Sequence, residues 1–119
     1  MAKVSAFEEG FVQVAPGFEI CEIFKNKEVS IAHIRMKKDL MPHYPPNLEE
    51  WSVLETNMYV TPLEGLIYFE EKGAGLTLCT PGTKIDIPRG TEYRWVLDSA
   101  IVVLHAVNNP GFKDEDRKV

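Results

Sequence analysis

The feature that most constrains this chain is its rhythm: short runs of strand-like alternation, each closed by a turn signal. "GFEICEIF" (Gly17 to Phe24), "EVSIAHIRM" (Glu28 to Met36), "WSVLETNMYV" (Trp51 to Val60) and "LIYFEE" (Leu66 to Glu71) are followed by "GLTLCT", "KIDIP", "EYRWVL" and "AIVVLHAV" (Ala100 to Val107). Between them stand Asn26-Lys27, Pro42 with Pro45-Pro46-Asn47, Pro62 to Gly65, Lys72 to Gly75, Pro81-Gly82, Pro88-Arg89-Gly90 and Asp98-Ser99. Residues of these types set φ or cap their own backbone, so they end strands and start turns. No segment carries three turns of apolar spacing at a period of 3.6, and Asn47 to Leu54 is the one weak helical candidate. Many short strands punctuated every ~8–12 residues specify a sandwich or barrel.

A barrel with a single core needs only one apolar face per strand. "EVSIAHIRM" places Val29, Ile31, His33 and Arg35 on one face and Ser30, Ala32, Ile34 and Met36 on the other, and "IVVLHAV" is apolar on both faces. The outer face is therefore expected to pack on a second sheet or a twin subunit, and a homodimer is the expected assembly. With 119 residues, 45% of them hydrophobic, the chain is read as one domain with its core at about 17–110 and a charged tail at 112–119. A net charge of −5 argues against nucleic-acid or anionic-membrane partners, and the basic run Arg35-Met36-Lys37-Lys38 reads as a solvated strand end. The longest apolar stretch, Ala100 to Val107, is far short of the ~20 residues of a spanning helix. The N-terminal "MAKVSAFEEG" has no apolar leader core, and Cys21 and Cys79 form no C-x-x-C pattern. Two reduced thiols and a cytoplasmic location are expected.

The stretch "PLEGLIYFEEKGAGLTLCTPGTKIDIPRGTEY" resembles the central hairpin and second conserved motif of the cupins, the small jelly-roll β-barrels. That motif runs Gly, five residues, Pro, x, Gly, two residues, His; here Gly82, Pro88 and Gly90 occupy their places and Tyr93 stands where the histidine would. The resemblance covers roughly residues 28 to 116 and implies an all-β, cupin-type double-stranded β-helix (a jelly-roll barrel) as a single domain. It also implies that Tyr93 points into the barrel, where metal-binding cupins place one of three imidazoles and a carboxylate around iron, manganese, nickel or zinc. Two registers for the first motif are open. Counting back from "LEG" (Leu63 to Gly65) puts the remaining ligand positions within Trp51 to Met58, which holds no histidine. A stretched register uses "HYPPNLEEWSVLETN", with His43 and Glu49 or Glu50 as ligands. The Gly65 register is preferred because its spacing to Pro88 matches ordinary cupins. Neither supplies three imidazoles, so no metal and no other cofactor is expected. Metal-free cupins that the chain resembles loosely include the ethanolamine-utilisation cupin, the RmlC-like sugar-nucleotide epimerases and the dimerisation cupin of kinetochore proteins.

Each candidate residue has a plainer alternative. Tyr93 could donate a proton or hydrogen bond, or simply fill the space a metal would take. Trp95 shares its face and would make a stacking wall. His105 shares a face with Ile101, Val103 and Val107, where a histidine is more often structural; turned inward, it would form an acid–base couple with Tyr93. His43 in "MPHYPPN" and Glu50 before Trp51 could line the barrel mouth, or be solvated loop residues. His33 reads as structural. The leading expectation is a metal-independent cupin holding a small organic molecule against Tyr93, Trp95, His43, Glu50 and His105, as a sensor or an isomerase/lyase-type enzyme. The alternatives are a dioxygenase-like metalloenzyme using His43 and Glu49 or Glu50, and a non-catalytic dimerisation module with a filled barrel. The sequence does not decide between enzyme and binder.

Overall fold

The alternating runs become antiparallel strands in a computed structural model that describes residues 10–40, 51–109 and 117–118. In chain order these are β1 (Val12–Ala15), β2 (Phe18–Lys25), β3 (Ser30–Lys37), a 3-10 turn (Lys38–Leu40), β4 (Val53–Leu54), β5 (Asn57–Glu64), β6 (Ile67–Glu71), β7 (Gly75–Cys79), β8 (Ile85–Ile87), β9 (Tyr93–Leu97), β10 (Ile101–Asn109) and β11 (Arg117–Lys118). They form a six-stranded sheet in the order β1-β2-β3-β10-β5-β8, a three-stranded sheet β7-β6-β9, and the pair β11-β4. Among the described residues no helix is long and apolar enough to cross a membrane.

The two larger sheets close on one core of Met36, Leu54, Met58, Val60, Ile67, Cys79, Ile85, Ile87, Tyr93, Leu97, Val102, Leu104 and Ala106. Strand parity decides the faces. Leu104 lies opposite Ile34 and Pro62, and Ala106 opposite Ala32 and Val60, so even-numbered residues of β3 and β10 look inward. Odd-numbered residues, including Ile31, His33, Val103, His105 and Val107, look outward. The hairpin between β2 and β3 is fixed by Asn26, whose Oδ1 accepts the amides of Glu28 (2.8 Å) and Val29 (2.9 Å). This is the local side-chain cap that makes asparagine a turn former.

Several expectations are refined. "WSVLETNMYV" is not one strand: Ser52 bridges to Tyr93, Val53–Leu54 pairs with Arg117–Lys118, and β5 begins at Asn57. β5 then runs through Pro62 to Glu64, where a turn was expected. Proline is tolerated because β8 pairs only with Met58 to Val60 and the ladder to β10 shifts register between Val103 and Leu104. The Pro62 carbonyl accepts the Gly82 amide at 3.0 Å. The basic strand end is not simply solvated, since Arg35 Nε and Lys37 Nζ lie 2.8 and 3.3 Å from Glu19 Oε1. β1, with all four residues exposed, was not expected. The outer face foreseen as apolar does expose Tyr59, Leu63 and Ile101.

Candidate functional site

A cavity of about 1060 Å³ lies within the barrel. Phe18, Ile20, Ala32, Ile34, Met36, Leu104 and Ala106 form its floor on the six-stranded sheet, and Val12 and Val14 of the edge strand β1 form one side. Val12 and Val14 are 64% and 57% exposed, an apolar wall left open rather than packed. Opposite stand Tyr93 and Trp95, backed by Phe69. Phe69 stacks on Tyr93 with ring centroids 5.9 Å apart, and Trp95 meets Phe69 at 5.3 Å and Tyr93 at 6.0 Å. Offset and edge-on aromatic contacts at these distances hold the three rings as a rigid wall.

The turn ahead of β9 aims that wall. Gly90 adopts φ +84°, the Thr91 amide donates to the Pro88 carbonyl at 3.1 Å, and the Arg89 and Gly90 amides donate to Asn57 Oδ1 and the Leu54 carbonyl. Tyr93 then exchanges both backbone hydrogen bonds with Ser52, at 2.8 and 3.0 Å. Its ring is thereby directed inward, as the resemblance implied, and the residue is only 5% exposed. On the opposite face of β9, Arg94 is held by Glu70 and lies 4.4 Å from the Trp51 ring centroid, which anchors the strand from outside. Polar groups reach the cavity at few points: Tyr93, Ser52, Glu22, Lys25, Ser30 and Asn108. Asn108 faces Ser30 across the ladder, and its Oδ1 accepts the Thr56 hydroxyl at 3.0 Å.

The structure brings Tyr93 and Trp95 together and separates His105 from both. His105 lies on the outer face between inward-facing Leu104 and Ala106, so the Tyr93–His105 acid–base couple is not assembled. Its ring instead meets His33, with His33 Nε2 3.2 Å from His105 Nδ1. Burial, and then the neighbouring His105, push the His33 pKa below its ordinary value. His43, Glu49 and Glu50 lie outside the described residues. Burial also pushes the Cys79 thiol up, as expected of an inert core cysteine.

Cupin metal sites gather imidazoles and a carboxylate inside the barrel. Both described histidines face outward, and among the described residues no three His, Cys, Asp or Glu side chains converge. The described part of the cavity offers a phenol, an amide, hydroxyls and a single carboxylate, Glu22, with the Lys25 ammonium on the same lining and no imidazole, a set that does not fit a divalent ion. Sequence reasoning missed Phe69, Val12 and Val14. The alternation Ile67-Tyr68-Phe69 was the available signal for the first, and Val12-Gln13-Val14 for the other two.

Neither protein-family models nor curated protein sequences match the chain. Solved structures do. An RmlC-like cupin from Shewanella frigidimarina superposes with a TM-score of 0.73 at 14% identity, covering 97% of this chain and 96% of that one. A Ralstonia eutropha protein provisionally called a mannose-6-phosphate isomerase gives 0.69 at 17% identity, over 91% and 98%. An RmlC-like cupin with a double-stranded β-helix fold from Methanocaldococcus jannaschii gives 0.63 at 12% identity, over 89% and 94%. The chain shares the double-stranded β-helix fold of these cupin structures. At such identities the likeness speaks to the fold alone, which hosts many unrelated chemistries.

Proposed function

We propose that this protein binds a small, largely apolar organic molecule in its barrel without a metal ion. The observation that carries this reading is the aromatic wall of Tyr93 and Trp95 facing a cavity whose floor and side are aliphatic. A volume near 1060 Å³ is just above the ~300–1,000 Å³ of small-molecule sites. Stacking on Trp95 would orient a planar ligand, and the Tyr93 phenol and Asn108 amide would select polar groups at its ends. The outward placement of His105 removes the Tyr93–His105 couple from the barrel, which favours a binder over an isomerase or lyase that would use that couple.

The test uses the fluorescent probe 1-anilinonaphthalene-8-sulfonate with tag-free protein. Saturable binding of one probe, with Trp95 emission quenched in a Trp51→Phe background and affinity reduced by Trp95→Ala, is expected. Absence of saturable binding, or binding indifferent to Trp95, overturns the reading. Metal that survives dialysis and is removed by His43→Ala would overturn its metal-free half in favour of the His43 and Glu49/Glu50 set. We also propose that two copies associate through one end of the outer face of the six-stranded sheet, where Leu63 and Ile101 are exposed and apolar. Sedimentation velocity should give twice the chain mass, falling to one chain in a Leu63→Glu, Ile101→Glu double variant; a monomeric wild type refutes it.

A further inference from the structure

We propose that His33 and His105 form a bidentate site for a divalent transition-metal ion of the zinc class, on the outer face of the six-stranded sheet. The site is distinct from the barrel and does not depend on what the barrel binds.

The two histidines are direct cross-strand partners at the centre of the sheet: His33 on β3 faces His105 on β10, with Cys21 of β2 and Thr61 of β5 continuing the row. Both backbones are held in ladders on either side, so the Cβ atoms are fixed before any ligand arrives. The facing nitrogens, His33 Nε2 and His105 Nδ1, are 3.2 Å apart. For metal–nitrogen bonds of ~2.0–2.1 Å, a tetrahedral ion spans its two ligands by about 3.3 Å, whereas adjacent square-planar ligands stand about 2.8–2.9 Å apart. The separation is close to the tetrahedral bite.

In the metal-free pair one nitrogen donates to the other. Binding needs both lone pairs to converge about 1.3 Å off the line between them, a modest rotation about the broad terminal torsion of each ring. Each imidazole then carries its proton on the outward nitrogen, so two neutral rings release no proton. Imidazole donors suit zinc, copper and nickel, and two imidazoles leave the ion's remaining positions to other donors. Of the nearby cations, Arg35 is offset by Glu19 at 2.8 Å, and Lys84 lines the same depression as the Asp86 carboxylate. A shallow depression of about 220 Å³ beside His105, lined by Tyr59, Thr61, Lys84, Asp86 and Val107, gives an ion its way in.

The test is calorimetric titration of tag-free, chelator-treated protein with zinc sulfate, repeated with Co²⁺ and followed by visible absorption. One equivalent bound in the micromolar range, with the intense d–d bands of four-coordinate cobalt, is expected. Removing even an outer-shell partner of a metal ligand costs about 10–100-fold in affinity, so His33→Gln and His105→Gln should each weaken binding by at least about tenfold. Their circular dichroism should match wild type. His43→Ala and Cys21→Ser should leave zinc binding unchanged. The proposal is overturned if wild type takes up no zinc, if either glutamine variant binds as wild type does, or if His43→Ala or Cys21→Ser abolishes binding. None of these outcomes bears on the aromatic wall, whose own test uses the organic probe.

Discussion

Replacing Gly65 with alanine should damage this fold far more than the same change at Gly73. Both glycines sit at positive φ, +82° and +85°, so each alanine must adopt a left-handed backbone at about 1–2 kcal/mol. Each change also removes freedom from the unfolded chain, which returns about 0.4–1 kcal/mol. The two sites differ in what a Cβ would touch. At Gly73 nothing lies within 4 Å; at Gly65 the Cβ would fall 2.3 Å from the Ile101 carbonyl oxygen and 3.2 Å from Val102 Cα. Those are backbone atoms at the start of β10, the strand between β3 and β5, and they have no rotamer by which to yield. Overpacking of this sort costs about 1–3 kcal/mol, so Gly65→Ala should lose about 1–3 kcal/mol more than Gly73→Ala. Urea denaturation of the two variants beside wild type measures that difference directly, with a matching gap in midpoint at constant slope. Equal losses would mean that the Gly65 turn does not press on β10, and the explanation of glycine in the "LEG" turn would fall.

Truncating Tyr93 should be costly even though a cavity lies beside it: at 5% exposure and packed on Phe69 and Trp95, Tyr93→Ala should lose about 3–5 kcal/mol, while Tyr93→Phe loses about 1 kcal/mol or less in the same denaturation experiment. Glu70→Ala should destabilise by about 1–3 kcal/mol, because it strips an ion-pair partner from Arg94, which is only 9% exposed; a loss near zero would show that the guanidinium is held without Glu70. Hydrogen bonds from Arg35 and Lys37 hold the Glu19 carboxyl below its ordinary pKa of 4.5, so its contribution is present above that pH and is lost as pH falls through the lowered folded value. The melting-temperature gap between wild type and Glu19→Gln should therefore be constant above about pH 5 and shrink under acid; a gap that grows on acidification would refute the assignment.

Much of this fold could be read before any coordinates, because turn chemistry is local. Asn26, Gly73, Gly82 and Gly90 each mark a turn that the structure contains, and Pro88-Arg89-Gly90 does aim Tyr93 into the barrel. What failed to show was which face of a two-sided apolar strand looks inward. On β10, Val102, Leu104 and Ala106 and the alternate set Val103, His105 and Val107 are equally credible as core. The choice is made by Ile34, Ala32, Pro62 and Val60 across the ladders, which no period-2 pattern within β10 contains. Hence the placement of His105 beside Tyr93 could be imagined from sequence and is undone by pairing. Pro62 misled for a related reason: its missing N–H forbids it only where a neighbouring strand needs that donor, and here none does.

One wall of the cavity is its least anchored strand. Among the described residues β1 pairs only with β2, through three residue pairs interrupted by a bulge, and it lies at the edge of the sheet. Its amides belong to the low-free-energy end of the local opening spectrum, whereas β10 is flanked on both sides. Any occupant resting against Val12 and Val14 would have to exclude the peeled form, stabilising the closed one in proportion to its concentration over its dissociation constant. Occupancy would then be recorded as slowed deuterium uptake at Val12 to Ala15 while β10 stayed unchanged, and escape of the occupant would be timed by the fraying of that strand.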